Sequence, residues 1–150
     1  MLLKSKVYSC CINLIADKIT ASKKAFKEIT EEAKTDSKSS AGDKHETSRA
    51  LMQIEQEKIS RQLQNIIDQK KQLEKINIDQ QSEKIISGSL ILTNQGYFFL
   101  SVGIGKIMVN DTPVFVLSPS SPLGAKLTGL KKGDSTTING TNYIIMQIID

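Results

Sequence analysis

Residues 1–79 contain no proline and one glycine, whereas the remainder holds all three prolines and eight of the nine glycines. This asymmetry constrains the chain more than any single motif. A long segment free of both helix breakers can run as uninterrupted helix, and a segment punctuated by turn residues cannot. The first segment also carries 15 of the 20 basic residues and 12 of the 16 acidic ones. The reading is two domains, 1–79 and 80–150, with the border in the polar run around Asn77–Gln81.

Within the first domain the apolar residues have helical period. Tyr8, Ile12, Ile15, Ile19, Ser22, Phe26, Ile29 and Ala33 alternate spacings of four and three, an a/d stripe over about four heptads. A run of small polar residues, Thr35 to Asp43, interrupts it. A second stripe follows at Met52, Gln56, Ile59, Leu63, Ile66, Lys70 and Leu73, with polar residues at two of its positions. Two such helices joined by a short loop fold back as an antiparallel coiled-coil hairpin, each burying its stripe on the other. The first helix, about 27 residues, would be roughly 40 Å long, and the connecting loop would be presented at the far end.

The second domain has strand period. Ile85–Leu92 and Tyr97–Ile104 flank Thr-Asn-Gln-Gly, and Lys106–Val109 and Pro113–Leu117 flank Asn-Asp-Thr, two hairpin signals. Ser121 as N-cap, Pro122 at N1 and Gly129 as a stop outline one short helix. Lys131–Asp134 reads as a turn, and Asn139-Gly140 joins two final strands. The fold class is α+β, a helical hairpin followed by a small antiparallel-sheet domain.

Composition excludes several functions. Cys10 and Cys11 are adjacent, and no C-x-x-C or Cys/His cluster accompanies them, so neither a disulfide framework nor a structural zinc site is expected. A reducing cytoplasm is the default location. The N-terminal apolar run is broken by Asn13 and closed by Asp17 and Lys18, unlike a signal peptide. Residues 85–105 carry no charge, but their serines, glycines and amides argue for strands rather than a membrane span. A nucleophilic Cys–His pair is not expected, because His45, the single histidine, lies 34 residues from Cys11. Gly103-Ile-Gly105-Lys is too sparse for a phosphate loop. The net charge of +4 and pI near 9.0 permit a nucleic-acid or nucleoprotein partner without specifying one.

The most informative stretch is Gly42-Asp43-Lys44-His45-Glu46. Two carboxylates three residues apart lie on one side of a first helical turn. A capping box explains them, with Asp43 as N-cap and Glu46 at N3. That is the favoured reading of the residues by themselves; the functional alternative is part of a Mg²⁺ shell, completed by another macromolecule.

Both halves resemble the bacterial GreA/GreB family of transcript-cleavage factors. Their tip motif, G-D-L-S-E-N-A-E-Y, is matched here by Gly42-Asp43-Lys44-His45-Glu46-Thr47-Ser48-Arg49-Ala50. Their C-terminal signature, S-x-x-S-P-[LIM]-A-[RK]-A-L-x-G-K-K-x-G-D, is similar to Ser118–Asp134. The resemblance implies an N-terminal coiled-coil hairpin that enters the secondary channel of RNA polymerase and a C-terminal FKBP-like domain that docks on the channel rim. Asp43 and Glu46 match the two acids that help the polymerase hold its second Mg²⁺, so that it cleaves its own backtracked transcript. The protein would thus lend ligands rather than be an enzyme, with no cofactor of its own, no membrane and no small-molecule substrate. Its partners would be RNA polymerase and the 3′ end of the nascent RNA, the latter met by Lys44, His45 and Arg49. Ser118, Ser120 and Pro122 match the docking loop. The basic residues of the hairpin, Lys23, Lys24, Lys27, Lys34, Lys38 and Arg49, would steer it along RNA or simply solvate a helix face.

Lys44 and His45 depart from the family's Leu and Ser. They favour an alternative, a regulator that occupies the channel without promoting cleavage. A coiled-coil interaction protein unrelated to transcription is a third reading. Prolyl isomerase activity is disfavoured by the few aromatic residues available to line a proline pocket.

Overall fold

Freedom from proline and near-freedom from glycine have the expected result: two long helices, α1 (Leu3–Asp36) and α2 (Gly42–Glu74). The protein is seen here as a computed structural model that describes residues 2–36 and 42–150, without the side chains of 35–36 and 42–45. Helix α1 has 34 residues, more than the stripe alone suggests, because its first turns carry a different buried set. Val7 and Cys11 are fully buried and Lys4 nearly so.

The chain divides into two compact units, Leu14–Lys70 and Met1–Asn13 with Lys71–Asp150. The composition border near 79/80 and these contact borders therefore fall at different places. In the helical unit, Ile15 and Ile59 are buried, and Ile19, Ser22, Ile29, Met52, Leu63 and Ile66 are partly so. Phe26, expected on the stripe, is 37% exposed. Helix α2 packs on α1, and the polar stripe position Gln56 is satisfied: its amide donates to the Thr30 hydroxyl at 3.2 Å. That hydroxyl in turn donates to the Phe26 carbonyl at 2.9 Å.

The other unit is built on a six-stranded sheet. Its strands are β1 (Leu90–Thr93), β2 (Gly96–Leu100), β3 (Gly105–Val109), β4 (Thr112–Leu117), β5 (Ser135–Ile138) and β6 (Thr141–Ile149), with helix α3 (Pro122–Leu127) between β4 and β5. The strand order is β3-β4-β2-β1-β6-β5. The hairpins follow from turn chemistry. Asn110 and Asp111, and Asn139 with Gly140, all have positive φ, as two-residue turns between β3 and β4 and between β5 and β6 require.

Two features differ from the sequence reading. The sheet is mixed, not antiparallel, because β2 and β4 pair in parallel, with Phe98 opposite Phe115. The segment after β2 carries the chain past its neighbour, so the return strand of the next hairpin lies beside β2 and β3 becomes an edge. Hairpin signals fix the partners within a hairpin but not which of its strands meets the rest of the sheet. The first strand also starts at Leu90 rather than Ile85. Gly88 at φ 95 and the Ser89 hydroxyl, accepting from the Ile86 N–H at 2.9 Å, fold 86–89 into a turn.

Phe98, Phe99 and Leu100 are all buried, which means both faces of the central strand are covered. On one face Ile91, Phe98, Leu100 and Ile145 pack with Ile85 and Leu127. Phe98 stacks on Phe115 at 5.4 Å and meets the Tyr143 ring edge-on at 5.8 Å. Alternation places Leu90, Phe99, Val114 and Val116 on the other face. No helix among the described residues is long and apolar enough to cross a membrane.

Candidate functional site

Helix α2 starts at Gly42, immediately after the small polar residues, so Asp43 and Glu46 are its second and fifth residues. Both fall in the unit Leu14–Lys70, which contains no strand. Glu46 is exposed, as is Arg49 one turn later, and the i, i+3 spacing puts them on neighbouring positions of one face. The side chains of Asp43, Lys44 and His45 lie outside the described residues, so the expected pairing of the two acids does too.

A cavity of about 600 Å³ opens between the two helices at this level. Thr30 and Lys34 of α1 and Glu46, Arg49, Gln53 and Gln56 of α2 line it. Within this unit, residues late in α1 therefore meet residues early in α2. One carboxylate and two cationic side chains around amide groups suit a ligand with both an anionic group and hydrogen-bonding capacity. Lys34, Gln53 and Gln56 were not among the expected site residues as a group. Gln56, one of the two polar positions in the second stripe, was the available signal. Of the other expected basic residues, Lys23, Lys24 and Lys27 are exposed, and Lys38 lies outside the described residues.

The second place of interest is the loop 118–122, in the sheet-bearing unit. Ser118, Ser120 and Pro122 are brought together there by a dense local network. The Ser118 and Ser120 hydroxyls are 2.8 Å apart, and the Ser120 N–H donates to the Ser118 hydroxyl at 3.1 Å. Ser121 donates from its hydroxyl to the Ser118 carbonyl at 2.6 Å and accepts the Gly124 N–H at 3.1 Å, capping α3. Glycine at 124 is required: a Cβ there would collide with the Ser118 carbonyl oxygen. The outcome is a rigid loop that leaves Ser120 and Pro122 exposed and Ser118 half-buried.

Three groups in the first turns of α1 titrate away from their ordinary values. Burial pushes the Cys11 thiol up to about 12, with Cys10 adding to it. Burial also raises the Tyr8 phenol, reinforced by Glu74 and Cys11. The Lys4 ammonium is lowered by burial, against the opposing pull of Asp150 and Asp79. These are structural groups, because none of them lines either place of interest. Among the described residues, no three His, Cys, Asp or Glu side chains gather as a metal site. No family model matches the chain, and no curated protein matches it.

Proposed function

We propose that this protein is a secondary-channel factor of the GreA/GreB type, which binds RNA polymerase and stimulates cleavage of backtracked transcripts. In this reading α1 and α2 form an antiparallel coiled-coil hairpin with residues 42–46 at its end. The sheet-bearing unit is FKBP-like and docks on the polymerase through Ser118, Ser120 and Pro122. The observation that carries it is the position of the acid pair. Asp43 and Glu46 open α2 within a unit made of helix alone.

The chemistry asked of this chain is modest. Asp43 and Glu46 supply two oxygen ligands, and the polymerase and the RNA phosphate complete the shell. The chemistry supplied by Mg²⁺, were it held this way, would be activation of a water for attack on the phosphodiester. Two carboxylates bind Mg²⁺ poorly alone, which is why the protein is proposed to lend ligands rather than to be an enzyme. Arg49, beside Glu46, together with Lys44 and His45, contacts the RNA 3′ segment.

The test is a stalled, backtracked polymerase complex given the protein and Mg²⁺. Its RNA should shorten, and Asp43→Ala or Glu46→Ala should abolish shortening while leaving binding intact. Undiminished cleavage by Asp43→Ala would remove the assigned role. A second reading is favoured by Lys44 and His45, which stand between the two acids in sequence. It is a channel-occupying regulator without cleavage activity, and polymerase binding with no added cleavage would decide for it.

A further inference from the structure

Strand β3 stands at one end of the sheet, with β4 as its neighbour there. The register between them fixes which backbone groups stay free. A two-residue turn makes Val109 and Thr112 a hydrogen-bonded pair, and bonded and non-bonded pairs alternate along an antiparallel ladder. Ile107 with Val114 and Gly105 with Val116 are therefore bonded pairs too, whereas Met108 with Pro113 and Lys106 with Phe115 are not. Pro113 agrees with this assignment, since it has no N–H to give. The N–H and C=O groups of Lys106 and Met108 consequently point away from β4, along the open edge.

The side chains beside this edge are exposed as well. The register puts Lys106, Met108, Pro113 and Phe115 on one face of the hairpin. All four are exposed, Met108 at 56% and Phe115 at 38%. Phe115 is braced by Phe98, its ring stacked at 5.4 Å. Together they form an apolar shelf that carries one cation. Between Gly105 and Leu117 the charged residues are Lys106 and Asp111, and Asp111 lies in the turn at the far end of the strand. The opposite edge of the sheet, β5, reads Ser-Thr-Thr-Ile and has no exposed large apolar residue among the described residues.

We propose that β3 is a docking edge for an extended acidic peptide segment of another protein, which adds to the sheet as an antiparallel strand. The segment places a carboxylate opposite Lys106 and an apolar residue opposite Met108, so in its own chain direction it reads apolar-x-acid. About four main-chain hydrogen bonds hold it, and the two side chains select it. A second copy of this chain is the poorer fit. Pairing β3 with β3 in the register that uses every free group sets Lys106 of one copy diagonal to Lys106 of the other, and a two-residue slip puts them directly opposite. Like charges there destabilise the pair, the usual effect of lysine on an edge strand. A carboxylate on the incoming strand turns the same lysine into an attraction. The surface is independent of the polymerase reading.

The full-length protein, labelled with ¹⁵N, is titrated with the peptide acetyl-Ser-Thr-Ile-Thr-Glu-Thr-Ser-amide. Saturable shifts should centre on the Lys106 and Met108 amides, and both should gain protection from hydrogen exchange. The Ile107 amide, already bonded to β4, should change little. Methylating the peptide nitrogens of Ile and Glu removes the donors and keeps the side chains, and should abolish binding. Lys106→Glu should weaken binding about fivefold and favour the same peptide with Lys in place of Glu, with a spectrum as dispersed as the parent's. The proposal is overturned if nothing saturates, if the shifts lie elsewhere, if the methylated peptide binds as well as the unmodified one, or if Lys106→Glu binds undiminished. Movement of the Lys106 and Met108 amides on simple dilution of the protein would also overturn it, because a second copy would then occupy the edge.

Discussion

The Tyr8 hydroxyl donates to the Leu73 carbonyl at 3.0 Å, across 65 residues of sequence. Leu73 stands one residue from the end of α2, where helix carbonyls have no intrahelical partner. The same oxygen accepts the Ile76 N–H at 3.2 Å, so it is doubly satisfied where the chain leaves the helix. Replacing Tyr8 by Phe removes one of those bonds and keeps the ring. The expected loss is about 1 kcal/mol, read as a melting temperature about 2–4 °C lower.

The two cysteines should behave differently. Cys10 is partly accessible and Cys11 fully buried. A thiol reagent should titrate one cysteine in the native protein and two in denaturant. The raised Cys11 thiol also has a signature in pH. Between its ordinary value of 9.0 and about 12, the unfolded chain releases this proton and the folded one keeps it. Stability on this account is complete below pH 9 and falls as pH rises through that window. Denaturant titrations of Cys11→Ala should show a flatter decline over the same range.

Lys4 acts with the opposite sign. Its ammonium is lowered in the fold, so the folded state sheds a proton before the unfolded one, and stability on its account rises with pH up to about its ordinary 10.5. Lys4→Met removes the buried charge. We expect it to stabilise the protein by about 1 kcal/mol at pH 7 and to lose that advantage towards pH 10.5. A melting series across pH checks both parts, and a lower melting point at neutral pH would show that Asp79 and Asp150 need Lys4 more than burial opposes it.

Gly124→Ala should be the most damaging conservative change where the 118–122 loop meets the first turn of α3. The added methyl group has the Ser118 carbonyl and the Ser121 hydroxyl in its place, and overpacking of this kind costs about 1–3 kcal/mol. Ser121→Ala, which loses only the cap, should cost about 1 kcal/mol. If the loop docks on polymerase, Gly124→Ala should weaken binding more than Ser121→Ala does, measured by co-sedimentation at a temperature where both remain folded.

Periodicity made the helices legible, and turn chemistry made the hairpins so. Ile15, Ile59 and Leu73 lie on the predicted stripes and are buried. Asn110-Asp111 and Asn139-Gly140 turn where expected. The cap at Ser121 and Pro122 was also readable, because both residues act within one turn of chain. What escaped were relations between distant segments. Nothing local tells that Val7 and Cys11 outrank much of the heptad stripe in burial, since their partners belong to other parts of the same unit. The parallel pairing of β2 with β4 is equally non-local. Of the candidate sites, the acid pair and the serine loop were visible as motifs. That β3 is an edge, with Lys106 and Met108 along it, follows from the sheet order and not from the strand's own residues.

The grouping of Met1–Asn13 with Lys71–Asp150 bears on how the protein is born. β1 sits between β2 and β6, and β6 is made after the other five strands of this sheet. Until it emerges from the ribosome, β1 presents an open edge, and the opening turns of α1 wait for surroundings that do not yet exist. The helical unit has all its sequence by residue 70 and can assemble while translation continues. The remainder closes only when segments more than fifty residues apart in sequence meet, a stage at which chaperones have most to protect.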